Sequence, residues 1–272
     1  MATFSSLMRR AESVGSSSGF PRTASGRRAV LQSGNLARAR TSVRIDNEDN
    51  VWTVDESANR ITKFDREGRV LLQFGQRPPT ADALEPVPRS DTQATYLRSP
   101  TDVTLDPAGS VFVSDSGNGR VVKYDANGRF ITSVGRPGSA PSEMKVPHSI
   151  AADANGHIYV ADGGNGRIQV FDNNLRLIAI YDAVGSPWAV CITRGPHQYL
   201  YASSNDDRTD ATRGRSTDPV YKMELDGTIV GRFGRSDNAL GRFPTLHSID
   251  CRTENKIVAI GVGWAGLISL QP

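Results

Sequence analysis

Residues 146–172 read VPHSIAADANGHIYVADGGNGRIQVFD. Within this stretch Ile158 and Val160, and again Ile168 and Val170, alternate with other residues at the period of two that half-buried β-strands show. Between these runs, the segments NG and GGNG supply the positive φ angles that tight turns need. The stretch therefore predicts short consecutive strands joined by tight turns.

The same unit recurs along the chain. Residues 115–125 (DSGNGRVVKYD) match residues 162–172 at an offset of 47, and residues 52–65 form an earlier copy. A degraded copy covers residues 221–227, and a partial copy begins at Leu246. Units of roughly 40–50 residues with about four short strands each are typical of the blades of a β-propeller.

We therefore predict an all-β fold, a β-propeller of four-stranded antiparallel blades, with five blades visible in the sequence. Residues 1–40 are rich in Ser and Arg and poor in acids, so they are expected to be a disordered tail. The propeller is expected to span residues 41–272. Its blades are predicted at about 41–75, 96–135, 146–182, 187–234 and 243–272.

The distribution of charge bears on the class of partner. The chain has a net charge of +3, whereas residues 1–40 contain seven Arg and one Glu and so carry +6. The remainder therefore carries −3, and nucleic acid is an unlikely partner because phosphate binding needs clustered Lys and Arg. No apolar run approaches the length of a transmembrane segment. The tail lacks the apolar core of a secretory signal and has a faintly transit-like composition, which leaves the compartment open.

The chain contains two cysteines, Cys191 and Cys251. In the repeat alignment both fall on innermost strands of neighbouring blades. No CxxC pair or Cys/His spacing typical of zinc is present. We expect two small, buried thiol side chains.

Two long insertions, residues 76–93 and 204–219, are predicted to leave the propeller from one face. The first joins two blades, and the second joins strands two and three of the fourth blade; in a propeller, both kinds of connection lie on the face where innermost strands begin. Long loops on a rigid scaffold often carry binding sites. We expect the binding face there.

Candidate binding residues lie where the innermost strands begin. They are Thr41, Thr101, Asp102 and Trp188. His148 and His247 occupy the same position of the repeat two blades apart, so their imidazoles are expected to approach each other near the axis. His157 and His197 fall in turns on the opposite face and are expected to be exposed.

His148 and His247 are also candidate metal ligands, with zinc as the possible cofactor, because imidazole is the commonest protein ligand of zinc. A catalytic zinc usually has three protein ligands, and Thr41 stands in the third equivalent position. The alternative is that both histidines line the mouth of the central channel.

These repeats resemble the NHL-repeat family, whose signature Asp-x-x-x-x-Arg-Ile/Val-x-x-Phe/Tyr-Asp appears at residues 115–125 and 162–172. Residues 99–103 (SPTDV) and 146–149 (VPHS) are similar to the peptidyl-α-hydroxyglycine α-amidating lyases and their bacterial relatives. The resemblance implies a six-bladed propeller, often extracytoplasmic, in which three histidines from alternate blades hold zinc. His148 and His247 match two of them.

Several positions depart from the lyase pattern. Residues 115–120 read DSGNGR, without the catalytic tyrosine of the lyase motif. Gly163 replaces an arginine, Thr41 stands where the first histidine belongs, and Ser248 replaces a calcium-binding aspartate. These departures argue against lyase activity in this chain.

The sequence therefore predicts an NHL-repeat scaffold that binds a peptide, protein or small-molecule ligand at its loop-rich face. The alternative is a zinc-dependent peptidylamidoglycolate lyase-like enzyme. If a ring of five blades is open, the exposed strand edge is expected to cause self-association.

The arginine of the repeat has a predicted structural role. Arg60, Arg120 and Arg167 follow the hairpin of three blades in one register, and active-site residues are seldom repeated once per blade. They are expected to hold their hairpins through charge-assisted hydrogen bonds to Asp55, Asp115 and Asp162.

Overall fold

A computed structural model describes residues 40–75, 96–204, 219–233, 246–253, 256–261 and 268–270. The predicted tail and both predicted insertions lie outside the described residues, apart from their boundary positions Arg40, Ser204 and Pro219.

The described chain forms five antiparallel sheets in succession. The first contains β1 (Arg40–Ile45), β2 (Val51–Asp55), β3 (Arg60–Phe64) and β4 (Val70–Phe74). The second contains β5 (Pro100–Leu105), β6 (Val111–Asp115), β7 (Arg120–Tyr124) and β8 (Phe130–Gly135). The third contains β9 (Pro147–Ala152), β10 (Ile158–Asp162), β11 (Arg167–Phe171) and β12 (Leu177–Tyr181). The fourth contains β13 (Val190–Ile192), β14 (Tyr199–Ser203), β15 (Val220–Glu224) and β16 (Ile229–Phe233). The fifth contains β17 (Leu246–Thr253), β18 (Lys256–Gly261) and β19 (Ile268–Leu270).

Within each sheet the strands pair in chain order, and the first strand is the innermost. The innermost strands pack side by side, β5 between β1 and β9, and β13 between β9 and β17. This radial arrangement makes the protein a β-propeller, as the repeats predict. The described residues contain short 3₁₀ turns but no α-helix, and hence no helix that could cross a membrane.

The core lies between the sheets rather than at the axis. Alternate residues of each middle strand point to opposite neighbours, so Val113 packs toward the first sheet and Phe112 toward the third. Among the described residues this packing gives four apolar clusters, one between each pair of consecutive sheets from the first to the fifth. Each sheet thus buries its faces only by stacking on its neighbours, which is why the unit must repeat.

Two of the predicted arginine contacts are confirmed. Arg120 Nε donates to Asp115 Oδ2 at 2.7 Å, and Arg167 Nε donates to Asp162 Oδ2 at 2.9 Å. Burial raises the pKa of Asp115, and the Arg120 guanidinium opposes that rise. The ion pair therefore stabilises a carboxylate that the fold has removed from water.

The first blade departs from this pattern. Its aspartate, Asp55, accepts hydrogen bonds from Ser57 Oγ and from the backbone N–H of Ala58, both at 2.9 Å. Arg60 is exposed. The predicted contact is therefore replaced here by local hydrogen bonds within the hairpin.

The prediction of two separate buried thiols is wrong. Cys191 in β13 and Cys251 in β17 form a disulfide, with their Cα atoms 6.0 Å apart. This separation lies within the range that a disulfide spans. The two strands are innermost neighbours, and only the packing of two blades brings these positions together. The bond covalently links the fourth blade to the fifth.

Candidate functional site

The starts of the innermost strands form one rim of the propeller. His148 lies near the start of β9 and His247 near the start of β17, while Trp188 lies two residues before β13. The spacing of two blades predicts that the imidazoles approach each other, and they do: the ring centroids are 4.6 Å apart with an interplanar angle of 88°. The Trp188 ring lies 4.5 Å from His148 and 6.4 Å from His247. We call His148, Trp188 and His247 the rim cluster.

Hydrogen bonding defines the protonation of His148. Its Nδ1 lies 3.0 Å from the carbonyl oxygen of Trp188, which can only accept, so Nδ1 carries the proton. Nε2 is then the unprotonated, accepting nitrogen. Burial, reinforced by the neighbouring His247, lowers the pKa of His148 to about 4. The ring is therefore neutral at neutral pH and presents an acceptor.

His247 is also pushed toward its neutral form. Burial lowers its pKa, and the negative charges of Asp102 and Glu56 act in the opposite direction. Glu56 comes from the first sheet, in the turn between β2 and β3. Nothing in the local sequence around Glu56 indicates this proximity, because it depends on how the first and fifth blades meet.

Thr101 supports the rim rather than facing outward. Its side chain is buried, and Oγ1 lies 2.6 Å from the carbonyl oxygen of His148 and 3.2 Å from that of Pro147. The hydroxyl donates across the gap between β5 and β9. Thr101 therefore positions the backbone that carries His148.

The Asp102 carboxylate in β5 accepts hydrogen bonds from the innermost strands on both sides. Oδ1 accepts from Ser42 Oγ at 2.5 Å, and Oδ2 accepts from Ser149 Oγ at 2.8 Å. Arg44 also donates to Oδ2. The residue is 2 % exposed, and its carboxylate holds β1, β5 and β9 together near the axis. Arg44 and Ser149 are members of this network that the sequence reasoning missed, since polar residues in a strand carry no signal of which blade they meet.

Thr41 and the two turn histidines complete the predicted set. Thr41 lies in β1, and its side chain is outside the described residues. His157 pairs with Asp153 at 2.9 Å and His197 with Glu224 at 2.8 Å. Both lie in the turns that follow innermost strands, as predicted. His157 is partly exposed and His197 is exposed, and neither belongs to the rim cluster.

Gly163 has a steric reason to be glycine. A Cβ at this position would lie 2.8 Å from the carbonyl oxygen of Pro187 and 3.5 Å from the Trp188 ring. The segment that carries Trp188 therefore packs directly on the Gly163 backbone. A larger residue here would displace Trp188 from the rim cluster.

The rim cluster is a poor fit to a catalytic zinc site. In the described chain no group of three or more His, Cys, Asp or Glu side chains could hold a metal. The two imidazoles would supply two ligands, one fewer than a catalytic zinc usually takes from the protein. His148 contributes only Nε2, because Nδ1 is engaged by Trp188.

The opposite end of the channel holds a cavity of about 630 Å³ among the ends of the innermost strands. Its lining includes Arg44, Asp250 and Arg252. Arg252 donates to Asp250 at 2.7 Å, and Arg44 is engaged by Asp102. These three charged groups are therefore paired within the protein.

The NHL repeat family matches residues 97–124 and 145–171. Two segments of this chain are NHL repeats. They contain His148, which belongs to the rim cluster, and Thr101 and Asp102, whose side chains hydrogen-bond to β9.

The sequence relatives match only part of this chain. The peptidylglycine alpha-amidating monooxygenase of Rattus norvegicus is 32% identical over 120 residues, which is 42% of this chain and 11% of the rat protein. A probable peptidyl-alpha-hydroxyglycine alpha-amidating lyase of Caenorhabditis elegans is 32% identical over 92 residues, 33% of this chain and 23% of that protein. The match therefore spans less than a quarter of the length of either relative.

Among solved structures, a streptogramin B lyase aligns with a TM-score of 0.56 at 15% identity, over 86% of this chain and 68% of that one. A virginiamycin B lyase from Staphylococcus aureus aligns with a TM-score of 0.52 at 16% identity, over 86% of this chain and 70% of that one. At these identities the similarity shows the fold alone.

Proposed function

We propose that this NHL-repeat propeller is a binding scaffold whose ligand docks on the rim cluster. The observation that carries the proposal is the convergence of two imidazoles and an indole where innermost strands begin. The half-buried indole offers a face for stacking, and Nε2 of His148 offers one directed hydrogen-bond acceptor. The insertions at residues 76–93 and 204–219, expected on the same face, would enlarge this surface.

A peptide is the best-supported ligand among peptide, protein and small molecule. The relatives with partial matches carry names that refer to peptidylglycine and peptidyl-α-hydroxyglycine. The rim cluster also suits the end of a peptide. Nε2 of His148 can accept a hydrogen bond from a donor on the ligand, and the Trp188 ring beside it can contact an apolar group of the same ligand.

Lyase-like activity is the second candidate, favoured by the paired imidazoles and these relatives. Four observations weigh against it. Residues 115–120 contain no tyrosine, Gly163 stands where the lyase pattern has arginine, and a side chain there would meet Pro187. The rim cluster also supplies two potential zinc ligands rather than three.

A labelled peptide ending in α-hydroxyglycine tests the proposal by fluorescence polarisation. We expect it to bind and remain intact, and Trp188→Ala to weaken binding by about tenfold or more, because the stacking face is lost. His197→Ala, on the opposite face, is the matched control and should bind as the unaltered protein does. Binding that is insensitive to Trp188→Ala would refute the rim as the site. Release of glyoxylate and peptide amide would instead establish the lyase.

Zinc content separates the two candidate functions. After dialysis against micromolar zinc and then buffer, the purified protein is expected to retain well under one zinc per chain, since two imidazoles form an incomplete site. Elemental analysis by mass spectrometry gives the ratio. One zinc per chain, lost in His247→Ala but retained in His197→Ala, would favour the enzyme.

A further inference from the structure

Glu56 places a carboxylate on the rim face, the face of the propeller where the innermost strands begin. It lies in the turn between β2 and β3 and is half-buried. Other carboxylates of this face are held by the protein: Arg120 donates to Asp115, and Arg167 donates to Asp162. Among the residues that the structure describes, none donates a hydrogen bond to the Glu56 carboxylate or forms an ion pair with it. Its charge is therefore available to a ligand.

The position of Glu56 in its turn is directed toward the rim. Glu56 directly follows the aspartate of the repeat, as Gly163 does in the third blade, and in both turns the N–H three residues later donates to the carbonyl oxygen of this position. A Cβ at Gly163 would lie 2.8 Å from the carbonyl oxygen of Pro187 and 3.5 Å from the Trp188 ring. A side chain at this position thus extends toward the start of a neighbouring innermost strand. In the first blade that side chain carries a negative charge.

The charges that act on His247 are negative. Burial lowers the pKa of His247, and Asp102 and Glu56 oppose this effect. Arg44 already donates to the Asp102 carboxylate, whereas Glu56 has no such partner among the described residues. A ligand cation on this side of the rim cluster would meet a carboxylate and a neutral imidazole, so it would be attracted and not repelled.

The rim cluster adds two groups that suit a cation. The half-buried Trp188 ring can attract a positive charge over its face. Nε2 of His148 accepts hydrogen bonds and does not donate them, because the proton lies on Nδ1 beside the carbonyl oxygen of Trp188. A carboxylate, an indole ring and a neutral acceptor all favour a positively charged group that donates hydrogen bonds.

Two cations of the same face lie farther from the axis. A Cβ at Gly117 would lie 2.6 Å from Cγ of Arg98, and a Cβ at Gly164 would lie 2.7 Å from Cγ of Lys145. Both glycines belong to turns between the second and third strands of their blades, so these two stems run over the sheet and away from the innermost strands. The charge closest to the rim cluster on its outer side is therefore that of Glu56.

We propose that the ligand of the rim cluster carries an ammonium or guanidinium group, which pairs with Glu56 beside Trp188 and His148. This inference rests on the proposed function and narrows it: the docked peptide presents a basic side chain or a free amino end. Glu56 is then a specificity-determining residue, because it selects for positive charge in a site whose other groups are neutral.

Three labelled peptides of one length test the charge preference by fluorescence polarisation. The first contains a lysine and a blocked amino end, the second has this lysine acetylated, and the third combines acetyl-lysine with a free amino end. We expect the first or the third to bind about tenfold more tightly than the second, because acetylation removes the charge and keeps the apolar stem. The difference is expected to shrink as the ionic strength rises.

The pattern among the peptides decides between the possible outcomes. Tight binding of the lysine peptide assigns the cation to a side chain, and tight binding of the third peptide assigns it to a chain end; either supports the proposal. Equal binding of all three would overturn it and leave the rim cluster as a neutral docking surface. Binding by none of them would overturn both this inference and the proposed function.

Glu56→Gln tests whether this carboxylate is the partner. The amide keeps the size of the side chain and loses its charge, so the variant is expected to bind the charged and acetylated peptides alike. Glu67→Gln, in the turn between β3 and β4 on the opposite face, removes the same charge and should keep the preference. Glu56→Lys should instead favour a peptide with glutamate in place of lysine. A preference for the charged peptide that persists in Glu56→Gln would refute the assignment.

Discussion

Replacing Cys191 and Cys251 together by alanine is expected to lower the free energy of unfolding by about 4 kcal/mol. The disulfide closes a segment with a sequence separation of 60, so breaking it restores much of the freedom of the unfolded chain. It also releases the covalent link between β13 and β17. Calorimetry or urea unfolding measures the loss, which corresponds to a fall of about 10 °C in the midpoint temperature.

Reductant provides the matched control for this prediction. Dithiothreitol should destabilise the unaltered protein by a similar amount and leave the double alanine variant unchanged. If reductant had no effect on the unaltered protein while thiol titration showed both cysteines reduced, the disulfide would not stabilise the fold.

Lowering the pH from 7 to 4 is expected to remove about 3 kcal/mol of unfolding free energy through His148. Burial lowers the pKa of this side chain to about 4 in the folded protein, whereas an unfolded histidine has its pKa near 6.5. The unfolded chain therefore takes up the proton first. The contribution is complete above about pH 6.5 and declines as the pH falls toward 4.

Groups from several blades determine the size of this effect. Besides burial, the neighbouring His247 and Arg44 lower the pKa of His148. Asp102 and the carbonyl group of Trp188 act in the opposite direction and raise it. Burial also lowers the pKa of His247, so its contribution has the same sign.

The measurement compares urea unfolding at pH 7, 6, 5 and 4 for the unaltered protein and for His148→Gln. The variant is expected to be less stable at neutral pH but to lose less stability on acidification. His197→Gln, on the opposite face, serves as the control for replacing a histidine by glutamine. Identical slopes in His148→Gln and the unaltered protein would show that another group is responsible.

Local sequence accounts for most of the sheet structure. The alternation at Ile158 and Val160 predicts β10, and that at Ile168 and Val170 predicts β11; both strands form, joined by a tight turn as expected. The charge-assisted contact of Arg167 with Asp162 was likewise predictable, because the two residues face each other on either side of one hairpin turn. These features depend on neighbours within a few residues, so a repeated unit specifies them wherever it occurs.

The candidate site was only partly predictable. Equal positions in the repeat were enough to bring His148 and His247 to one rim, since a propeller arranges equivalent residues around a common axis. The same reasoning selected Thr101 and Asp102 as binding residues without showing that their side chains are engaged by neighbouring strands. Which partner a strand residue meets depends on the offset between two blades, and no single repeat contains that information.

The repeated pattern of alternating apolar residues and glycine-rich turns determined the strands, the hairpins and the propeller. Strands and hairpins follow from short-range backbone geometry. The propeller follows because each sheet must cover its apolar faces. The Cys191–Cys251 bond, the buried carboxylate of Asp102 and the neutral state of His148 arose from contacts between blades. They depend on distances between residues far apart in the chain, which the radius of the ring sets and local sequence does not encode.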